Sequence, residues 1–147
     1  MASPEKVIAD ESSITEYIPQ KDPMVMIGKL HSSQEGKTVT SFLIREGHLF
    51  CSKGQFLEAG LIENMAQTAA SGVGFLAKKE KKEPPVGFIG GIKNLKIYSL
   101  PETGDEIITE ITIEHQVFDA TVASGRILLH DHLIAECELK IFILKTM

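Results

Sequence analysis

The sequence predicts an α+β domain in which one long helix packs against an antiparallel sheet. Three observations carry this. From Ala59 to Ala77 the chain runs AGLIENMAQTAASGVGFLA, nineteen residues holding a single charge, Glu63. After it, Ile107, Thr109, Ile111, Ile113 and His115 alternate with Ile108, Glu110, Thr112 and Glu114, the two-residue period of a strand. Strand-like segments also follow one another directly instead of alternating with helices, which favours antiparallel pairing.

The elements follow in order. Residues 1–16 read as a loose N-terminal arm on a single domain spanning 1–147. The next stretch, 17–28, holds two prolines and is expected to be extended. Leu30 to Ile44 predicts two strands joined by a turn at Gln34-Glu35-Gly36-Lys37, with Val39, Thr40, Phe42 and Ile44 as strand formers. Residues 45–57, polar and glycine-bearing, read as a loop before the helix. On a helical wheel Leu61, Met65, Thr68, Gly72, Phe75 and Leu76 form one stripe, and Glu63, Gln67, Ala70 and Gly74 lie opposite. The second face has one charge and several small residues, so both faces are expected to be covered by protein. The KKEKKE run, Lys78–Glu83, ends the helix in solvent with lysines placed favourably against its C-terminal dipole, and Pro84 and Pro85 forbid continuation. Further strands are expected over Gly87–Tyr98, 107–115, Thr121–Leu129 and Leu133–Leu144, with turns at 100–106 and His130-Asp131-His132.

Composition narrows the function classes. A chain of 147 residues with 43% apolar content suits one domain with a real core. A net charge of −5 leaves no basic footprint for nucleic acid. The N-terminus lacks the basic and apolar regions of a signal peptide, and Glu63, Asn64 and Gln67 argue against a membrane span through the helix. A cytoplasmic, reducing setting fits two cysteines, Cys51 and Cys137, with no framework spacing. His115, His130 and His132 lack a completing ligand cluster, so no metal is expected.

A lone carboxylate in such a helix is costly to bury and is usually paired, neutralised or used. Its context resembles a family. IPQKDPMVMIGKL (Ile18–Leu30) resembles the opening of 3-hydroxyacyl-[acyl carrier protein] dehydratases. GLIENMAQTAA (Gly60–Ala70) is similar to their central-helix signature, in which a catalytic acid precedes Met-Ala-Gln. GFIGGIKNLKIYSLPETGDEI (Gly87–Ile107) resembles their glycine-led strand and Pro-x-x-Gly-Asp turn. The resemblance implies the hotdog fold, a long central helix wrapped by a curved antiparallel sheet, and a homodimer or higher homo-oligomer with joined sheets.

It also implies roles. Glu63 would protonate a departing hydroxyl, and His48, in GHLFCSKGQF fifteen residues earlier, would be the base. Gly60 would offer its N–H to the thioester carbonyl, and Gln67, one turn after Glu63, could orient the acid. Gly90 would let a phosphopantetheine arm or acyl chain pass close to the backbone, and Phe50 and Phe56, with Met65 and Ile89, serve equally as tunnel walls or core. The substrate would ride on acyl carrier protein in fatty-acid or related lipid or polyene synthesis, with no other cofactor. The chain departs from the family at Pro19-Gln20-Lys21, where the family has Pro-His-Arg, and the His48 loop lacks the proline of the family's His-Phe-Pro-Gly. A hotdog thioesterase and a non-catalytic acyl-binding partner subunit therefore stand beside dehydration as readings.

Overall fold

The computed structural model describes residues 6–83 and 85–144. Pro84, one of the two expected helix breakers, lies outside them. One helix, α1 (Glu58–Lys79), packs on a six-stranded antiparallel sheet. Its strands are β1 (Lys29–Gln34), β2 (Lys37–Leu43), β5 (Val86–Ile97), β6 (Glu106–Val117), β7 (Ala120–Leu129) and β8 (His132–Leu144), in the order β1-β2-β6-β7-β8-β5. A small hairpin, β3 (Cys51–Ser52) with β4 (Gln55–Phe56), stands inside what the sequence reads as plain loop. Lys53 and Gly54 take left-handed φ of 52° and 79° and close its two-residue turn.

The other turns obey the same chemistry. Glu35 and Gly36 join β1 to β2 at φ of 52° and 77°, and His130 and Asp131 join β7 to β8 at 49° and 66°. Both are positions where the sequence expects turns. Four of the five strand pairs carry a register shift, for example between Ile113 and His115 and between Ile89 and Gly91. Such bulges add local twist and bend, which curves the sheet around α1. This is the hotdog architecture that the sequence resemblance implies.

The helix is covered on two sides. Leu61 and Met65, both fully buried, face the sheet core of Ile107, Ile111, Ile127 and Leu139. A second cluster of Ala9, Ile14, Ile18, Val25, Ile27 and Leu30 packs from the other side. The glycines allow that closeness: a Cβ on Gly74 would collide with the Tyr17 carbonyl, and one on Gly72 with the Thr38 hydroxyl. Leu76, placed on the apolar stripe by periodicity, is instead 55% exposed while its neighbour Ala77 is still buried, so the cover in the last turn is confined to one side of the helix. The helix stops at Glu80, with Lys81 left-handed at φ 59° and bonds from Lys82 N–H to Ala77 O and from Lys81 N–H to Lys78 O. This is a Schellman ending built on lysine where glycine is usual.

The arm corrects an expectation. From Lys6 onward it is not loose: Ile8 and Ala9 donate to Leu30 O, Leu30 returns a bond to Ala9 O, and Ile14 is buried. His31 bonds Lys6 O and Ser41 Oγ, both at 2.7 Å. Arg45 grips both carboxylate oxygens of Glu11 and holds that carboxyl below its ordinary range. With the arm fastened, Ala9 and Ile14 complete the second core, which the arm's polar composition conceals. Residues 1–5 lie outside the description.

Candidate active site

A cavity of about 320 Å³ runs between α1 and the far end of the sheet. Glu63, Ala66, Ala70 and Val73 line it at helical spacing, facing Ile89, Ile113 and Ile141 on the strands. The helix rise of 1.5 Å per residue sets Glu63 and Val73 roughly 15 Å apart along the axis. Glu63 therefore sits at one end of an elongated, mostly apolar chamber. Gly87, Phe88 and Ile89 of β5 form part of the wall, and Phe88 is 51% exposed, so the chamber opens at the sheet edge.

Glu63 is partly buried and held from behind. Its Oε1 accepts a bond of 2.9 Å from Gln67 Nε2. Gln67 is itself immobilised, because Nε2 also donates to Met24 O and Oε1 accepts from Met26 N–H, both at 2.7 Å. Asn64 Nδ2 donates to Met26 O at 2.6 Å, and Asn64 Oδ1 accepts from the Thr109 hydroxyl at 2.5 Å. The polar face of α1 thus lashes a strap, Met24–Met26, along the helix. Asn64 and Gln67 are wholly buried, and these bonds leave neither amide idle. Gln67 is brought to the acid as the sequence expects. The role of Asn64 has a sequence signal only in retrospect: it follows the acid inside the neutral helix.

His48 goes elsewhere. One ring nitrogen lies 3.2 Å from Val25 O, and the ring packs edge-on to Phe42 and Phe56. A carbonyl only accepts, so this nitrogen carries a proton, and in the neutral ring the other nitrogen is the one with the lone pair. That second nitrogen is buried without a partner among the described residues. His48 does not line the cavity of its own chain. The strap links the two residues indirectly: Val25, which holds His48, lies between the two residues that hold Gln67.

The remaining expected residues separate. Gly60 N–H donates to Leu57 O at 2.9 Å, and a Cβ there would fall 2.5 Å from the Phe56 ring, so Gly60 serves close packing in this chain. Phe56 and Met65 are core, not tunnel wall, and Phe50 packs against that core, because the β3–β4 hairpin folds both phenylalanines inward. Ile89 does line the chamber. Gly90 does not; the absence of a side chain there admits the Phe142 ring, and its neighbours Gly87 and Ile89 face the chamber instead. The cysteine thiols are not activated: burial raises Cys51 and pushes Cys137 up to about 11. No group of metal-ligating side chains occurs among the described residues, and no described helix is long and apolar enough to cross a membrane.

Fold and site together define a hotdog protein with an acid-bearing, mostly apolar chamber beside the central helix. Residues 12–146 match the model of the ApeP-like family, the ApeP dehydratases, and the chain belongs to that family. Among solved structures it is similar to the dehydratase heterocomplex ApeI:P from Xenorhabdus doucetiae, at 18% identity, TM-score 0.82, over 90% of this chain and 91% of that one. It is also similar to Cj0977, a sigma28-regulated virulence protein from Campylobacter jejuni, at 11% identity, TM-score 0.73, over 97% and 95% of the two chains. A hypothetical thioesterase from Streptococcus pneumoniae, solved with coenzyme A, aligns at 11% identity, TM-score 0.63, over 80% and 85%. No curated protein sequence matches this chain.

Proposed function

We propose that this chain dehydrates a 3-hydroxyacyl thioester carried on acyl carrier protein to the trans-2-enoyl thioester, in fatty-acid or related lipid or polyene synthesis. The observation that carries the reading is Glu63: a carboxyl fixed by Gln67 at the polar end of an apolar chamber. In the reaction a base takes the proton from C2, whose electrons form the C2–C3 double bond. The C3–O bond breaks as Glu63 gives its proton to the hydroxyl, and water leaves. The base is His48, whose free ring lone pair suits proton abstraction.

Because His48 lies outside the chamber of its own chain, the base comes from a second chain. The β5 edge supports such an assembly. Among the described residues it pairs only with β8; it is twelve residues long and exposes Phe88, Ile92 and Leu95. A long apolar free edge invites another strand. A partner there also covers the chamber mouth. The partner is a second copy or, as in the ApeI:P heterocomplex, a different chain.

One observation favours a second reading. Among the described residues, the chamber of a single chain is lined by a carboxylate and no histidine, and a carboxylate is all that a thioesterase needs to activate water. Mixing the protein with a 3-hydroxyacyl thioester separates the two. Dehydration raises enoyl absorbance, and hydrolysis releases free thiol. Glu63→Gln is expected to abolish the absorbance rise while the melting temperature holds; retained turnover removes Glu63 from the mechanism.

A further inference from the structure

His48 and the side chain that fixes Glu63 hang on one peptide group. The Val25 carbonyl accepts from His48 Nε2 at 3.2 Å, and the Met26 N–H of the same peptide unit donates to Gln67 Oε1 at 2.7 Å. Gln67 Nε2 in turn holds Glu63 Oε1 at 2.9 Å. A peptide unit is planar, so its C=O and N–H turn together. Any rotation of this unit therefore displaces the imidazole on one side and the amide on the other.

Asn64 supplies the grip that stops the rotation. The Met26 carbonyl, on the next peptide unit, accepts from Asn64 Nδ2 at 2.6 Å, so both peptide planes that meet at Met26 are tied to α1. Asn64 Oδ1 is anchored by the Thr109 hydroxyl at 2.5 Å. Thr109 is fully buried on β6, between Thr40 of β2 and Ile127 of β7, so the strap is referenced to the middle of the sheet. Among the described residues, the backbone bonds of Val25 and Met26 go to side chains alone: His48, Gln67 and Asn64. Apolar burial of Val25 and Met26 adds stability but is non-directional and sets no carbonyl angle.

We infer that Asn64 is a positioning residue for the base: by fixing Met26 it sets the Val25 carbonyl that orients His48. This rests on the dehydratase reading above, in which His48 is the base. Asn64 does not line the chamber, so its effect on the reaction is geometric. A base must come within about 2.6–3.2 Å of the proton it takes. A misplacement of about 1 Å costs roughly 100-fold in rate. With the Val25 carbonyl fixed, His48 Nε2 keeps its hydrogen and Nδ1 its lone pair; with the carbonyl free to turn, the ring exchanges between its two neutral forms.

Asn64→Leu and Asn64→Ala each remove the donor to Met26, and alanine guards against a leucine that will not fit. Thr40→Val is the control: it deletes a buried hydroxyl that bonds Thr68 at 2.7 Å and leaves the strap untouched. All three should lower the melting temperature by a few degrees. Assayed in the natural assembly well below melting, the Asn64 variants should lose about 100-fold in kcat with KM within about threefold, and Thr40→Val should keep its kcat within about threefold. A second measurement needs no turnover. Nitrogen-15 spectra of the histidine rings are taken near pH ~8.5, where an ordinary imidazole is neutral, with His48 assigned by its loss in His48→Gln. Wild type and Thr40→Val should show one protonated and one bare nitrogen at His48, and the Asn64 variants an average of the two. A normal kcat in a folded Asn64 variant, an unaltered His48 spectrum, or an equal kcat loss in Thr40→Val overturns the role of Asn64 and leaves the dehydratase reading standing. A wild type that forms no enoyl product overturns that reading, and this inference with it.

Discussion

At the scale of single residues, Gln67 does more than orient an acid. Its amide closes three bonds, to Met24 O, Met26 N–H and Glu63 Oε1. Gln67→Met should strand the buried Met26 N–H, the part-buried Met24 carbonyl and the carboxyl together, costing about 2–4 kcal/mol of stability and lowering turnover. Chemical denaturation beside a rate assay measures both, and unchanged stability would show that the strap holds without it. Cys137 supplies a pH prediction. Burial moves its thiol from 9.0 to about 11, so the folded chain keeps a proton that the unfolded chain gives up. Stability from this source is whole below the unfolded value of 9.0 and falls as pH climbs toward about 11. Melting temperatures across that range should decline more steeply for wild type than for Cys137→Ala, each compared with its own value at neutral pH.

At the scale of elements, the helix shows what small residues are for. Gly74 meets a backbone carbonyl, which cannot swing aside as a side chain can. Gly74→Ala, normally helix-stabilising, should here destabilise by about 2–3 kcal/mol through overpacking against Tyr17. The helix end points the other way. Lys81 sits in a left-handed conformation with no glycine to ease it. Lys81→Gly should raise stability by about 0.5–1 kcal/mol, a few degrees in thermal melting. Much of this was legible in the chain: nineteen near-neutral residues announced an enclosed helix, and Glu35-Gly36 announced its turn. The β3–β4 hairpin was hidden, because two-residue strands are too short to show a period. For the same reason the sequence left Phe50 and Phe56 equally suited to tunnel wall or core.

At the scale of the whole molecule, β5 is the open question that the fold itself raises. It ends the sheet, so its outer backbone groups face no strand among the described residues. If a second chain pairs there, the double substitution Ile92→Lys with Leu95→Lys should halve the mass seen by light scattering. It should also remove turnover while Glu63 and Gln67 remain in place. A wild type that is monomeric and active alone would rule out the base arriving from a second chain. The exposed apolar residues of β5 were visible in the sequence as apolar residues only. That they lie on an edge depends on strand order, which no local pattern encodes.

The long helix, the six long strands, the enclosure of the helix and the acid near its start were all legible in the chain alone. These are local or periodic properties, set by turn chemistry, by alternation and by where charge is missing. The MAQ signature also led directly to a Gln67 that holds Glu63. Only the tertiary structure decided which groups meet. It brought Gln20 to the chamber across 43 residues, sent His48 to Val25 instead of to the acid, and fastened an arm that composition suggested was free. Such meetings depend on sheet order and on bulges that bend the sheet around the helix, and residues far apart in the chain leave no shared local signature of them.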